Sequence, residues 1–190
     1  MAISLFARNR DDPHMLVVSM TGVKLGDRLV QLGCAHGGRL GAVASRVGLS
    51  GHAVAVVPDE ASAARARKGA AAAGVLVEVE VGPPTTLRLA NRAFDVAVVD
   101  DTGGLMSAAA PSDRSAVVRE LRRVLRPGGR VVLIGAAPRA GLGALLAGAP
   151  ARPAFIASDE GREVLTAAFK PVRTLAEREG LVFVEGINPR

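Results

Sequence analysis

The stretch RLVQLGCAHGG, residues 28–38, decides the architecture. Arg28 to Gly33 is a short apolar run that reads as a strand. The turn Gly33-Cys34-Ala35-His36-Gly37-Gly38 breaks it, and from Gly38 to Gly48 the side chains of Leu40, Val43, Ala44 and Val47 fall on one helical face. A glycine-rich turn between a strand and a helix lets the backbone come close to a ligand, and the first N–H groups of the helix favour negative charge there.

The same rhythm continues on both sides. His52 to Val57 reads as a second strand, and Asp59 is placed to cap a helix that stops at Gly74. Val75 to Val81 is a third strand, and Phe94 to Asp100 a fourth, apolar on both faces. Ser112 is placed to cap a helix with Val117, Leu121, Val124 and Leu125 inward, ended by Pro127 and Gly128. Arg130 to Gly135 is a fifth strand. Upstream, Asp12-Pro13 opens a short helix through Met20. Downstream, helical patterns run from about Asp159 to Phe169 and from Pro171 to Gly180, before a last strand, Leu181 to Ile187. Strands alternating with helices predict an α/β Rossmann-like, doubly wound, mostly parallel sheet with helices on both faces. The count is six strands, and the open edge this leaves suggests a homodimer.

Composition bounds the class. The chain has 190 residues, 49% of them hydrophobic, which suits a single domain with a sizeable core and excludes a disordered tail. Within residues 1–190 the reading divides into a cap helix (1–21), a core (22–135), a mobile crossover rich in Gly, Ala and Pro (136–157) and a C-terminal part (158–190). One cysteine excludes a disulfide scaffold, and charges among the first twenty residues do not fit a secretory signal, so a cytoplasmic location is expected. No apolar run approaches the roughly 20 residues of a bilayer crossing, so no membrane contact is expected. The three histidines lack ligand spacing and no second cysteine exists, so no metal is expected.

The order of three motifs resembles a known family. Val30 to Gly37 resembles the first motif of class I S-adenosylmethionine-dependent methyltransferases (type 11-like), an acidic residue followed by alternating glycines. Phe94 to Val99 resembles that family's fourth strand, and Leu121-Arg122-Arg123-Val124-Leu125-Arg126-Pro127-Gly128-Gly129-Arg130 its passage from helix to fifth strand. The resemblance covers about residues 22 to 135 and implies S-adenosylmethionine as cofactor.

Carried over residue by residue, the resemblance implies a cofactor set of Gln31, Gly33, Cys34, Ala35, Gly37, Val57, Pro58, Asp59 and Pro83. Three family acids are replaced within it. Gln31 stands where an acid organises the methionine end, Val57 where an acid takes the ribose hydroxyls, and Pro83 near an acid that meets adenine. Ala35 stands where the family has its second glycine. Charged hydrogen bonds of this kind contribute about 1.5–3 kcal/mol each. Asp59, two positions beyond Val57, either replaces the lost carboxylate or serves only as a helix cap.

Asp100, Asp101 and His36 are the catalytic candidates at the mouth of the site; the alternative role of the aspartates is to cap the loop that follows. The resemblance implies a methyltransferase with a small-molecule substrate. The missing acids leave open a non-catalytic methyltransferase-fold module, a pseudoenzyme, that binds a protein partner. An RNA methyltransferase is the third reading. It rests on Arg119, Arg122, Arg123 and Arg126, which form either a nucleic-acid stripe or the solvated face of an amphipathic helix.

Overall fold

The computed structural model describes residues 13–137 and 155–190. Their elements are α1 (Met15–Thr21), β1 (Arg28–Leu32), α2 (Gly37–Ala44), β2 (His52–Val57), α3 (Glu60–Ala73), β3 (Glu78–Val81), β4 (Phe94–Asp100), α4 (Pro111–Val124), β5 (Leu125–Ala136), α5 (Asp159–Thr166), β6 (Val172–Arg178) and β7 (Leu181–Ile187). Seven strands form one sheet in the order β3-β2-β1-β4-β5-β7-β6. The first five run parallel, and β7 is antiparallel to both β5 and β6.

Alternation along the strands divides the core. Val30 and Leu32 of β1, Ala97 and Val99 of β4 and Leu133 of β5 pack with Val117, Leu121 and Val124 of α4 and Leu165 of α5. Leu29, Val96, Val98 and Val132 face the other way, toward Val17 and Val18 of α1 and Val43 of α2. Ala55 and Val57 meet Leu40 of α2 and Ala63 and Ala66 of α3. This is a three-layer α/β arrangement with helices on both faces of the sheet.

α2 and α3 cross backbone against backbone. A Cβ on Gly37 would lie 2.3 Å from the Arg65 carbonyl oxygen, and one on Gly69 would lie 2.1 Å from that of Gly37. Gly37 therefore fixes how the helix after the turn seats on its neighbour. As expected, Asp59 caps α3, accepting from Ser62 N at 2.7 Å, and Gly74 closes it at φ 66°.

Three expectations are corrected. The sheet has seven strands, not six, because Pro171 to Gly180 contains β6 and not a helix. A bulge between Thr174 and Ala176 breaks the two-residue alternation of β6, so its half-buried residues, Val172 on one face of the sheet and Leu175 and Ala176 on the other, fall at the sequence spacing of a helix. Glu179 (φ 54°) and Gly180 (φ 72°) then form a two-residue hairpin loop. Ser112 does not cap α4: Ala110 holds that position and Pro111 opens the helix, where its missing N–H costs nothing. Of the expected crossover, residues 138–154 lie outside the described residues, as does Asp12. No helix among the described residues is long and apolar enough to cross a membrane.

Candidate functional site

A cleft of about 440 Å³ opens at the carboxyl ends of β1, β2 and β4. This is the point where chain order reverses about β1, the usual ligand position of an open α/β sheet. Gly33, Cys34 and Ala35 form its floor, with Pro58, Asp59, Ser62 and Arg65 on one side. Asp100, Leu105, Ala108, Ala109 and Pro84 supply the remaining walls.

Asp100 determines the shape of the floor. Its carboxylate is 2% exposed and accepts from Ala35 N at 3.2 Å, Thr102 N at 3.2 Å and Thr102 Oγ1 at 2.5 Å. Arg39 Nη1 reaches the same carboxylate at 3.3 Å and donates to Thr102 Oγ1 at 2.8 Å. The turn after β1 is thus tied to the loop after β4 by one charged group. Gly33 makes the join: its φ is 77°, and a Cβ there would lie 2.9 Å from the Asp100 carbonyl oxygen.

Asp101 serves the next loop. Its Oδ1 accepts from Met106 N at 2.6 Å and Ser107 N at 3.0 Å, and it lies outside the cleft lining. Burial raises its carboxyl above the ordinary range, and the Ser107 and Met106 N–H groups offset this in part. Arg114 braces the same loop, donating to the carbonyls of Met106 and Ser107, each at 2.9 Å. Both aspartates are therefore engaged as acceptors within the fold. His36 is exposed at the N-terminus of α2, its ring edge-on to His14 with centroids 5.2 Å apart.

The expected cofactor set divides. Gly33, Cys34, Ala35, Pro58 and Asp59 line the cleft; Gln31, Gly37, Val57 and Pro83 do not. Gln31 is 2% exposed and donates from Nε2 to the Gly33 carbonyl at 3.0 Å, so its amide supports the turn from beneath. Val57 is fully buried against α2 and α3. Pro84 borders the cleft in place of Pro83, which lies in the neighbouring groove with Thr86 and Arg88. Asp59 keeps an exposed carboxylate in the cleft wall, and the Ser62 backbone N–H holds it below its ordinary range. Burial, reinforced by Asp100, pushes the Cys34 thiol up to about 11, with Arg65 and Arg39 offsetting this only in part. Cys34 fills the turn as a protonated thiol.

Sequence reasoning missed Ser62, Arg65 and Arg39. Ser62 and Arg65 are three residues apart on one helix face, and the Arg65 guanidinium donates to Ser62 Oγ at 2.8 Å and to the Cys34 carbonyl at 3.1 Å. That spacing was a usable signal once Asp59 had been read as the cap. Arg39, on α2, carries none, because its partner lies at the end of β4, far away in the sequence. Of the arginine stripe, Arg123 is occupied by Glu120 and by the carbonyls of Leu87 and Leu89, and Arg126 pairs with Asp95. Arg119 and Arg122 remain exposed. Among the described residues no group of three or more His, Cys, Asp or Glu is placed to hold a metal ion.

The comparisons with known proteins agree with this frame. A family described as methyltransferase domain matches residues 29–129, more than half of the sequence, and the chain belongs to it. A curated relative, an uncharacterized 37.1 kDa protein in transposon TN4556 of Streptomyces fradiae, is 36% identical over 108 residues, 57% of this chain. The match spans 30% of that relative's length. Among solved structures, a SAM-dependent methyltransferase from Aquifex aeolicus superposes with a TM-score of 0.68 at 20% identity, over 93% of this chain and 89% of that one. A SAM-dependent O-methyltransferase from Thermotoga maritima gives 0.65 at 15% identity, over 94% and 65%. An N-methyltransferase from Bradyrhizobium japonicum gives 0.63 at 15% identity, over 92% of each chain. At these identities the structures share the fold with this chain; the second is an O-methyltransferase and the third an N-methyltransferase.

Proposed function

We propose that this chain is a methyltransferase that binds S-adenosylmethionine in the cleft and methylates a small molecule, with Asp59 in place of the absent acid at Val57 as the anchor for the ribose. The observation that carries this reading is an exposed Asp59 carboxylate in the wall of a cleft whose glycine turn is held in shape. The residues present fit the cofactor in kind. Leu105, Ala108, Ala109, Pro58 and Pro84 offer apolar walls for a purine, and Asp59 and Ser62 offer polar contacts for hydroxyls. Bound there, the cofactor supplies an electrophilic methyl group.

The chain's own contribution is positioning. Asp100 and Arg39 hold the floor, and Arg65 holds the Cys34 carbonyl. Asp100 and Asp101 each accept N–H donors of the fold, which supports a positioning role for both. His36, exposed beside the turn though outside the cleft lining, is the third candidate to take a proton from an acceptor.

One observation favours a second reading, a non-catalytic module of the same fold. None of Gln31, Val57 and Pro83 presents a charge to the cleft, so all three of the acids that the family resemblance implies are absent at these positions. Calorimetric titration with S-adenosylmethionine and S-adenosylhomocysteine separates the two. The methyltransferase binds both with micromolar affinity; absence of heat at millimolar ligand leaves the non-catalytic reading.

A further inference from the structure

The arginine face at the C-terminal end of α4 is larger than the helix itself, because the fold brings two other segments to it. Arg92, in the turn before β4, donates its backbone N–H to the Arg123 carbonyl at 2.9 Å. Asn188 inserts its side-chain amide beneath the helix end, donating to the carbonyls of Arg122 at 3.3 Å and Arg126 at 3.1 Å. Arg190 follows two residues further along the chain. Arg92, Arg119, Arg122, Arg126 and Arg190 are all exposed.

The acids of this surface are already engaged. Glu120 is held by Arg123 and accepts from Leu87 N at 2.7 Å, and Asp95 is shared between Arg126 and the Arg28 backbone N–H. Arg92, Arg119, Arg122 and Arg190 make no ion pair among the described residues. The C-terminal half of α4 and the turn beside it therefore carry excess positive charge.

The geometry points to a docking surface for the phosphate backbone of duplex DNA. A protein partner of ordinary kind needs a buried apolar anchor, and among the described residues none is offered here: the exposed large hydrophobic residues Met15, Leu25, Leu49, Leu76 and Val81 lie on other segments. A single strand needs aromatic platforms, and the chain has no Trp or Tyr, while Phe94, at the start of β4, is 2% exposed. Arginines without rings or apolar anchors suit repeated phosphates contacted without base readout. The face adjoins the N-terminal end of β4, roughly 20 Å along that strand from the cleft. It anchors the chain on DNA and does not deliver a base to the cleft, so it is independent of the methyltransferase reading.

The test is fluorescence anisotropy with a labelled 20-base-pair DNA duplex of arbitrary sequence, from about 25 to 200 mM NaCl. Three to four phosphate contacts predict a slope of log affinity against log salt of about −3 to −4. Arg119→Glu with Arg122→Glu weakens binding at least ~10-fold and flattens the slope by about 2. Lys68→Glu with Arg178→Glu makes the same change in net charge on other surfaces and leaves affinity within about twofold. Circular dichroism verifies that both variants fold. Equal loss in the two variants overturns the proposal, since total charge and not this face would then govern binding. A flat salt slope, or tighter binding to duplex RNA or polyglutamate, also overturns it.

Discussion

Arg39 and Asp100 meet 3.3 Å apart across the floor of the cleft, although 61 residues separate them in the chain. The Asp100 side chain is 1% exposed and that of Arg39 19%. The pair joins the turn after β1 to the loop after β4, and the Ala35 and Thr102 N–H groups complete the carboxylate's contacts. These contacts make it a brace of the turn after β1.

Replacing it separates charge from shape. Asp100→Ala leaves the Ala35 and Thr102 N–H groups without their acceptor and the Arg39 guanidinium without its counter-charge, and costs about 3–5 kcal/mol in urea unfolding. Asp100→Asn keeps an acceptor oxygen and costs less than the alanine variant. Equal loss in both would show that the charge is the only thing that matters.

The α2–α3 crossing predicts a backbone effect. Gly69→Ala places a methyl group 2.1 Å from the Gly37 carbonyl oxygen and lowers stability by about 3 kcal/mol or forces the helices apart. Gly82→Ala, with nothing within 4 Å of its added Cβ, changes stability by less than about 0.5 kcal/mol. Thermal unfolding of the two variants checks the contrast.

Cys34 gives a pH dependence with a definite sign. The folded chain keeps this thiol protonated up to about pH 11, whereas the unfolded chain releases the proton near the ordinary value of 9. Between those values the unfolded state binds fewer protons, so stability falls as pH rises from about 9 toward 11. Cys34→Ala lacks that component, and its unfolding midpoint falls less steeply over the same window. At pH 8 a thiol reagent labels wild-type Cys34 only slowly.

The hairpin loop offers a stabilising change. Glu179 holds φ 54°, a conformation asparagine adopts more readily than glutamate. Glu179→Asn raises stability by about 0.5 kcal/mol in urea unfolding, and Gly180→Ala lowers it by about 1 kcal/mol.

These contrasts also show what the sequence makes legible. The Asp59 cap and the Gly74 stop depend on neighbours a few residues away, so a local reading finds them. The seven-stranded sheet was missed at β6, where the bulge beside Thr174 gives an edge strand the periodicity of a helix. Glu179-Gly180, a two-residue loop ahead of an apolar run, was the one local clue. The family motifs located the cleft, but not the inward burial of Val57 or the roles of Arg39 and Arg65. Those roles depend on contacts between segments that only the folded chain brings together, and no residue spacing encodes them.

The ribose anchor is tested most directly by titrating S-adenosylmethionine into wild-type protein and Asp59→Ser. Serine is as good a helix cap as aspartate, so the variant melts within a few degrees of wild type. It lacks the carboxylate in the cleft, and its affinity for the cofactor falls ~10-fold or more. Equal affinity in the two proteins would mean that Asp59 only starts a helix, and would contradict the anchoring role assigned to it.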